Sequence, residues 1–304
     1  MKKQIISILS VMVIASSCKK QDDTTVQQTT PGSTADQLNP DMVQNPLLIE
    51  GTGTYCGWCP SYGTETIKQM IVKYPNAIAI SLHSDIPGPA GTDKLKSAYP
   101  INTTFLNNFP GLESNGIPNF YVGNTEAGQS PESKIISAQS LTPTAGVKHL
   151  WTKDVSKYNI QVRIKFFAAS SGNYYIGTYA LQDNIAARKS LGLDQHDYAN
   201  ILQTTTAQDT TRWKSDQAPD GSGGFYFKKD ERYYHDHVIS SGADGVSSSW
   251  GQLLSKTSYN ANDTLNFNFT ITPNSTWAKS IDIVTILWKK NGSTYSYING
   301  YRIK

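Results

Sequence analysis

The chain has 304 residues, 27 basic and 24 acidic side chains, and 38% hydrophobic residues of which the aromatics make up a substantial part. A formal charge of +3 builds no field strong enough to select a polyanion, which removes nucleic acid as an expected partner. Beyond the N-terminus no stretch has the length and apolarity of a membrane helix.

The first element is Met1-Lys2-Lys3 followed by an apolar run from Ile5 to Ala15 and the small residues Ser16-Ser17. A basic start, a core too short to span a bilayer and small residues before a cleavage point predict a secretory signal over residues 1–17. Ile14-Ala15-Ser16-Ser17-Cys18 resembles a bacterial lipobox, which implies that Cys18 becomes a lipidated first residue. Removal of Lys2 and Lys3 leaves 25 basic and 24 acidic residues. Residues 18–42, rich in Gln, Thr, Pro and Ser, lack apolar periodicity and predict a flexible tether. Lys20-Gln21-Asp22-Asp23 resembles an export signal to the cell surface; solvated linker charge is the alternative.

From Leu47 the pattern alternates. Pro46-Leu47-Leu48-Ile49-Glu50 predicts a buried strand, and Ile67, Met70, Ile71 and Tyr74 share one face of a helix. Asn76–Leu82 predicts a second strand, parallel to the first because a crossover helix intervenes. Asn119-Phe120-Tyr121-Val122 predicts another strand. Ser130-Pro131-Glu132 predicts a helix start, with Ile135, Ile136 and Ala138 as its apolar members.

After about Pro143 nearly everything reads as strand and turn. Tyr158, Ile160, Val162, Ile164 and Phe166 alternate with polar residues, as do Leu265, Phe267, Phe269 and Ile271. Ile283–Trp288 leads to an Asn291-Gly292 hairpin turn. The expected layout is an α/β domain over 43–143 and an all-β, immunoglobulin-like β-sandwich domain over 144–304 able to fold alone. Residues from about Asp183 to Gly251, rich in Gly, Ser, Asp and Tyr, read as long loops with short helices.

Thr54-Tyr55-Cys56-Gly57-Trp58-Cys59-Pro60 carries the chemistry. A structural zinc needs four ligands, and a single cysteine pair supplies two. A c-type haem needs His directly after the second cysteine, where Pro60 stands. No cofactor and no metal are therefore expected. A redox pair needs an attacking thiolate and a resolving thiol. Cys56 at a strand-to-helix junction gains amide N–H groups and the positive end of the helix dipole, and Cys59 sits about one turn deeper. Pro60 fits only the first turn of a helix, which places the helix start at or just before Cys56.

Leu47-Leu48-Ile49-Glu50, Tyr55-Cys56-Gly57-Trp58-Cys59 and Gly116-Ile117-Pro118-Asn119-Phe120, in that order, resemble a thioredoxin fold over roughly residues 42–143. The resemblance implies that Cys56, Cys59, Pro118 and Glu50 are the catalytic residues. Pro118 would be a cis-proline facing the disulfide, and Glu50 a buried carboxylate taking a proton from Cys59. Gly57 and Trp58 would tune the pair; Trp58 stands where thioredoxin itself has proline, which implies a potential of roughly −150 to −270 mV. With the lipobox and the β-rich C-terminal half, the chain resembles the outer membrane protein 28 family, thioredoxin-like lipoproteins of Bacteroidetes. That resemblance implies an outer-membrane, lipid-anchored protein on the periplasmic or cell-surface face.

Two functions of different kind follow. The first is thiol–disulfide exchange with extracytoplasmic protein thiols and disulfides as partners. The second is a non-enzymatic surface-binding lipoprotein whose cysteine pair is structural, with a glycan or peptide ligand on the β domain. His83 reads as a structural or surface residue. His235-Asp236-His237 would place two histidines on one strand face, but no third metal ligand can be named. The tyrosines and tryptophans of the second half, including Trp250 and Trp288, read as packing.

Overall fold

Leu47–Thr52 forms strand β1, and all six of its residues are buried. β1 pairs in parallel with Ile78–His83 (β2) and antiparallel with Asn119–Val122 (β3). β3 turns back through the positive-φ Gly123 into Thr125–Gly128 (β4). The parallel pair requires a crossover. It consists of a wide π-helical turn over Cys59–Thr64 running into helix α1, Glu65–Lys73. Cys56 itself is not helical, and the described helical residues run from Cys59. Pro60, lacking an N–H, still falls within the first turn, as required. Helices α2 (Lys94–Ala98), α3 (Ile101–Asn108), α4 (Gly111–Ser114) and α5 (Glu132–Gln139) complete the first half. The residue capping α5 is Pro131 rather than Ser130.

The computed structural model describes residues 37–53, 56, 59–84, 93–186, 213–216, 224–227, 234–277 and 280–303. The segment expected to be a signal, Cys18, most of the expected tether, Gly57 and Trp58 lie outside the described residues.

The second half supplies the longer strands: Ala145–Lys153 (β5), Tyr158–Phe166 (β6), Tyr174–Asp183 (β7), Val238–Gly242 (β8), Thr264–Ile271 (β9), Ser280–Asn291 (β10) and Thr294–Arg302 (β11). The period-two patterns at 158–166 and 264–271 pair residue for residue, from Thr264 opposite Lys165 to Ile271 opposite Tyr158. β10 and β11 form the hairpin predicted at Asn291-Gly292, with Gly292 at φ 62°. In the 183–251 region the described ordered segments are strands, not helices.

A boundary near residue 143 does not separate two cores. One mixed, nine-stranded sheet runs β11-β10-β7-β8-β2-β1-β3-β4, with Gln252–Leu253 added against β7. The join is β8, which is antiparallel to β7 and meets β2 in parallel where Val238 pairs with Ser81. The described residues belong to one compact unit.

Strand alternation sorts the core. One sheet face carries Leu47, Ile49, Ile78 and Ile80 from the first half and Tyr179, Leu181, Val284, Ile286 and Trp288 from the second, all packed with Phe105 and Leu106 of α3, Phe109 just beyond it and Leu112 of α4. Trp250 stacks on Phe105 and Tyr295, with ring centroids 4.7 and 4.4 Å apart. On another face, Leu48, Ala79, Phe120 and Val122 pack against Ile67 and Met70 of α1 and Ile135 of α5. Ile136, expected among the apolar members of α5, is exposed. Tyr174, Ile176, Ala180, Ile283 and Leu287 pack against the three-stranded sheet β9-β6-β5. Two sheets do face each other in the second half, as a sandwich would have them, but one of them is the sheet that carries β1 and β2. The strands expected to form a separate immunoglobulin-like domain over 144–304 are instead part of a larger, mostly β architecture with a mixed sheet.

Candidate functional site

Cys56 and Cys59 form a disulfide, with their Cα atoms 5.4 Å apart. The Cys56 N–H donates to the Gly53 carbonyl (3.1 Å), turning the chain out of β1 toward the crossover. The Cys59 N–H donates to Cys56 Sγ at 3.0 Å. Cys56 Sγ also lies 3.6 Å from the Ile117 carbonyl oxygen, and the Ile117–Pro118 peptide bond is cis. Cys56 is 8% exposed and Cys59 1%, so the first cysteine is the nearer to solvent. With a helical segment starting at Cys59, its unpaired N–H groups and dipole favour negative charge on the Cys56 sulfur.

Glu50 lies in the same neighbourhood. β1 alternation puts Leu48 and Glu50 on the face that carries α1, and the register sets Glu50 opposite Ser81. The Ser81 hydroxyl donates to Glu50 Oε2 at 3.0 Å. Oε1 has no hydrogen-bond partner among the described residues. Burial pushes the carboxyl up to about 8; the Ser81 and Thr52 hydroxyls oppose that shift and the Asp236 charge adds to it. A carboxyl of this kind is a proton donor and acceptor near neutral pH.

Gly63 connects Glu50 to Pro118. A Cβ built on Gly63 would sit 1.9 Å from Glu50 Oε1 and 3.2 Å from Pro118 Cβ. The helix entry, the carboxylate and the cis-proline therefore close on one another at a residue with no side chain. Sequence reasoning passed over Gly63; the signal available was a glycine four residues beyond Cys59, near the start of a helix, where glycine is unfavourable.

His83 is fully buried, as a structural residue would be, and its Nδ1 lies 3.0 Å from Asp93 Oδ2. Asp93 also caps α2, accepting from the Leu95 and Lys96 N–H groups. The His235 ring meets the His83 ring edge-on, with centroids 5.0 Å apart. Burial, reinforced by His83, pushes His235 down to about 3. His237 does not share a strand face with His235. Its φ is 58°, the strand ends at His235, and its Nδ1 faces Asp183 Oδ1 at 3.2 Å. Among the described residues no group of three or more His, Cys, Asp or Glu side chains is placed to hold a metal ion. Among those residues too, no helix is long and apolar enough to cross a membrane.

No family model matches the chain. No curated protein matches it either. The structure is similar to that of HBP35 of Porphyromonas gingivalis, at a TM-score of 0.57 and 16% identity over 87% of this chain and 76% of that one. At that identity the likeness concerns the fold. A protein of Agrobacterium tumefaciens aligns over 86% of this chain and 95% of its own, at 13% identity and a TM-score of 0.45, a level that carries no inference.

Proposed function

We propose that the protein is an envelope lipoprotein that exchanges thiols and disulfides with extracytoplasmic proteins through Cys56 and Cys59. One observation carries the reading: the Cys56 sulfur accepts the Cys59 N–H and lies beside the carbonyl preceding cis-Pro118. The sheet order β2-β1-β3-β4, with β3 antiparallel to β1 and a crossover helix after the cysteines, supports a thioredoxin-like core within the larger sheet. The resemblance to the outer membrane protein 28 family and the lipidation at Cys18 belong to the same proposal, with the outer membrane as the site of anchoring.

In the reduced protein the Cys56 thiolate attacks a disulfide sulfur of the substrate. The substrate's S–S bond breaks and its second sulfur leaves as a thiolate. Glu50 takes the proton from Cys59, whose thiolate attacks Cys56 Sγ and expels the first substrate sulfur, also as a thiolate. The protein is oxidised and the substrate disulfide is reduced to two thiols, with the Cys59 N–H and the helix entry stabilising the Cys56 thiolate at the start. The reverse sequence oxidises a substrate dithiol.

Trapping tests the assignment. Cys59→Ser should accumulate partner proteins as mixed disulfides on Cys56, and Cys56→Ser should accumulate none. A specific observation favours a second reading, in which the bond is a structural staple: Cys56 is 8% exposed and Cys59 1%. On that reading neither variant traps a partner and both lose stability.

A further inference from the structure

A small cavity of about 10 Å³ opens beside Glu50, lined by Thr64, Ile67 and Lys68 of the crossover segment, Ser81 of β2, and Asp236 and His237. That is room for a single water. The last two residues come from the far half of the chain. They are held at the site by the backbone, since the Ser81 N–H donates to the His237 carbonyl at 2.8 Å and Val238 pairs with Ser81. The turn is fixed on its other side as well. The Asn184 N–H donates to Asp236 Oδ1 (2.8 Å) and the His237 N–H donates to Asp183 Oδ1 (2.7 Å).

Glu50 Oε2 is occupied by Ser81, and Gly63 leaves Oε1 no space on the Pro118 side. Oε1, buried and without a partner among the described residues, belongs to a side chain that lines the cavity. Asp236 and His237 are half-buried, so they reach solvent while Glu50 does not.

We propose that this cavity, bounded by the Asp236-His237 turn, is the proton route between Glu50 and solvent, and that Asp236 and His237 act as positioning residues for it. The inference rests on the proposed role of Glu50 as proton acceptor. When Cys59 resolves a mixed disulfide, its proton passes to the Glu50 carboxylate. A water in the cavity, held beside Asp236, carries that proton on to the bulk, returning Glu50 to its ionised form. No electron moves in this step. The charged and titratable groups facing Glu50 or the turn are Lys68 on α1, Asp236 and His237 in the turn, Asp183 on β7 against His237, and Arg302 on β11, whose positive charge also acts on His237. The Asp236 charge is the one among them that raises the Glu50 carboxyl.

The test follows the full-length reduced protein reacting with dithionitrobenzoate. One coloured thiolate is released as Cys56 attacks and a second as Cys59 resolves, so the second phase reads the proton-linked step. Glu50→Gln should slow that phase by about 10²-fold, the scale of a lost general base. Asp236→Asn keeps the acceptor for Asn184 but removes the charge, and should move the pH midpoint of the second phase downward. Asp236→Glu should restore the midpoint. His237→Asn keeps a residue type that tolerates positive φ and should slow the phase several-fold without moving its midpoint. A structural role alone would change thermal stability and leave the pH midpoint in place. If Glu50→Gln slows the second phase while Asp236→Asn and His237→Asn both retain the wild-type pH profile and rate, the route is wrong and the base assignment stands. If Glu50→Gln leaves the second phase unchanged, the assignment beneath the route is wrong as well.

Discussion

Gly63 lies so close to Glu50 that a Cβ on the glycine would stand 1.9 Å from the carboxylate oxygen Oε1. Glu50 is tied on its other side by the Ser81 hydroxyl, so moving away from a new Cβ costs it that hydrogen bond. Gly63→Ala should therefore cost about 1–3 kcal/mol, the scale of an overpacked interior, and should slow resolution by Cys59. Thermal unfolding and the second kinetic phase read the two effects. An unchanged melting temperature would mean that the crossover turn moves freely away from β1.

The shared sheet makes a prediction about fragments. A chain of residues 145–304 keeps β7 and β10 but loses α3, α4 and β2, which cover Tyr179, Leu181, Val284, Ile286 and Trp288. It should express as an unfolded or aggregating fragment, with near-ultraviolet circular dichroism showing no fixed aromatic packing. A cooperatively folded fragment would restore the two-domain layout.

Trp288 anchors that shared core. It is completely buried, its Nε1–H donates to the Tyr179 hydroxyl at 2.9 Å, and it touches Phe105, Phe109, Trp250 and Tyr297 by ring contacts. Trp288→Ala should destabilise the protein by about 3–5 kcal/mol, as read from denaturant midpoints at constant m. Because the ring packs on both halves, both should unfold in one transition.

Buried titratable groups set opposite pH slopes. The Glu50 carboxyl holds its proton to about 8 in the folded chain, against an ordinary value of 4.5. Between those values the unfolded state has already released a proton, so stability falls as pH rises, by about 1.4 kcal/mol per pH unit. Glu50→Gln should gain on the wild type as pH rises from 4.5 to 8. His149 behaves in the opposite sense. Fully buried, with both ring nitrogens lacking hydrogen-bond partners among the described residues, it is pushed down to about 3 by desolvation. Its unfolded imidazole takes a proton near 6.5, so stability falls as pH drops from 6.5 toward 3. His149→Phe should flatten that slope, and equal slopes in variant and wild type would contradict the burial of a neutral ring.

Local pattern made much of this legible. β1 and β2 are apolar runs, β6 and β9 alternate strictly, and the Cys56–Cys59 pair, with Glu50 and Pro118 matched through the thioredoxin resemblance, marks the candidate site in the sequence. The continuity of the sheet was harder to see, because its joining contact, Val238 with Ser81, spans more than half the chain. One signal did exist. Ile283-Val284-Thr285-Ile286-Leu287-Trp288 is buried throughout, and an apolar run without alternation needs cover on both faces. A free-standing sandwich would leave one of those faces to water. The helices that cover it, α3 and α4, lie in the first half. His235 and His237 were read as sharing one face of a regular strand, which they do not, because a positive φ at a histidine cannot be read from residue type.

The measurement that bears most directly on the proposed function is the reduction potential of the Cys56–Cys59 pair, taken by equilibrating the full-length protein with glutathione buffers and quantifying free thiols. An exchange site should equilibrate at roughly −150 to −270 mV, the span of isomerase-like and thioredoxin-like pairs. A value below about −300 mV, where a bond resists reduction by the glutathione pool, would contradict exchange and make the pair a structural staple.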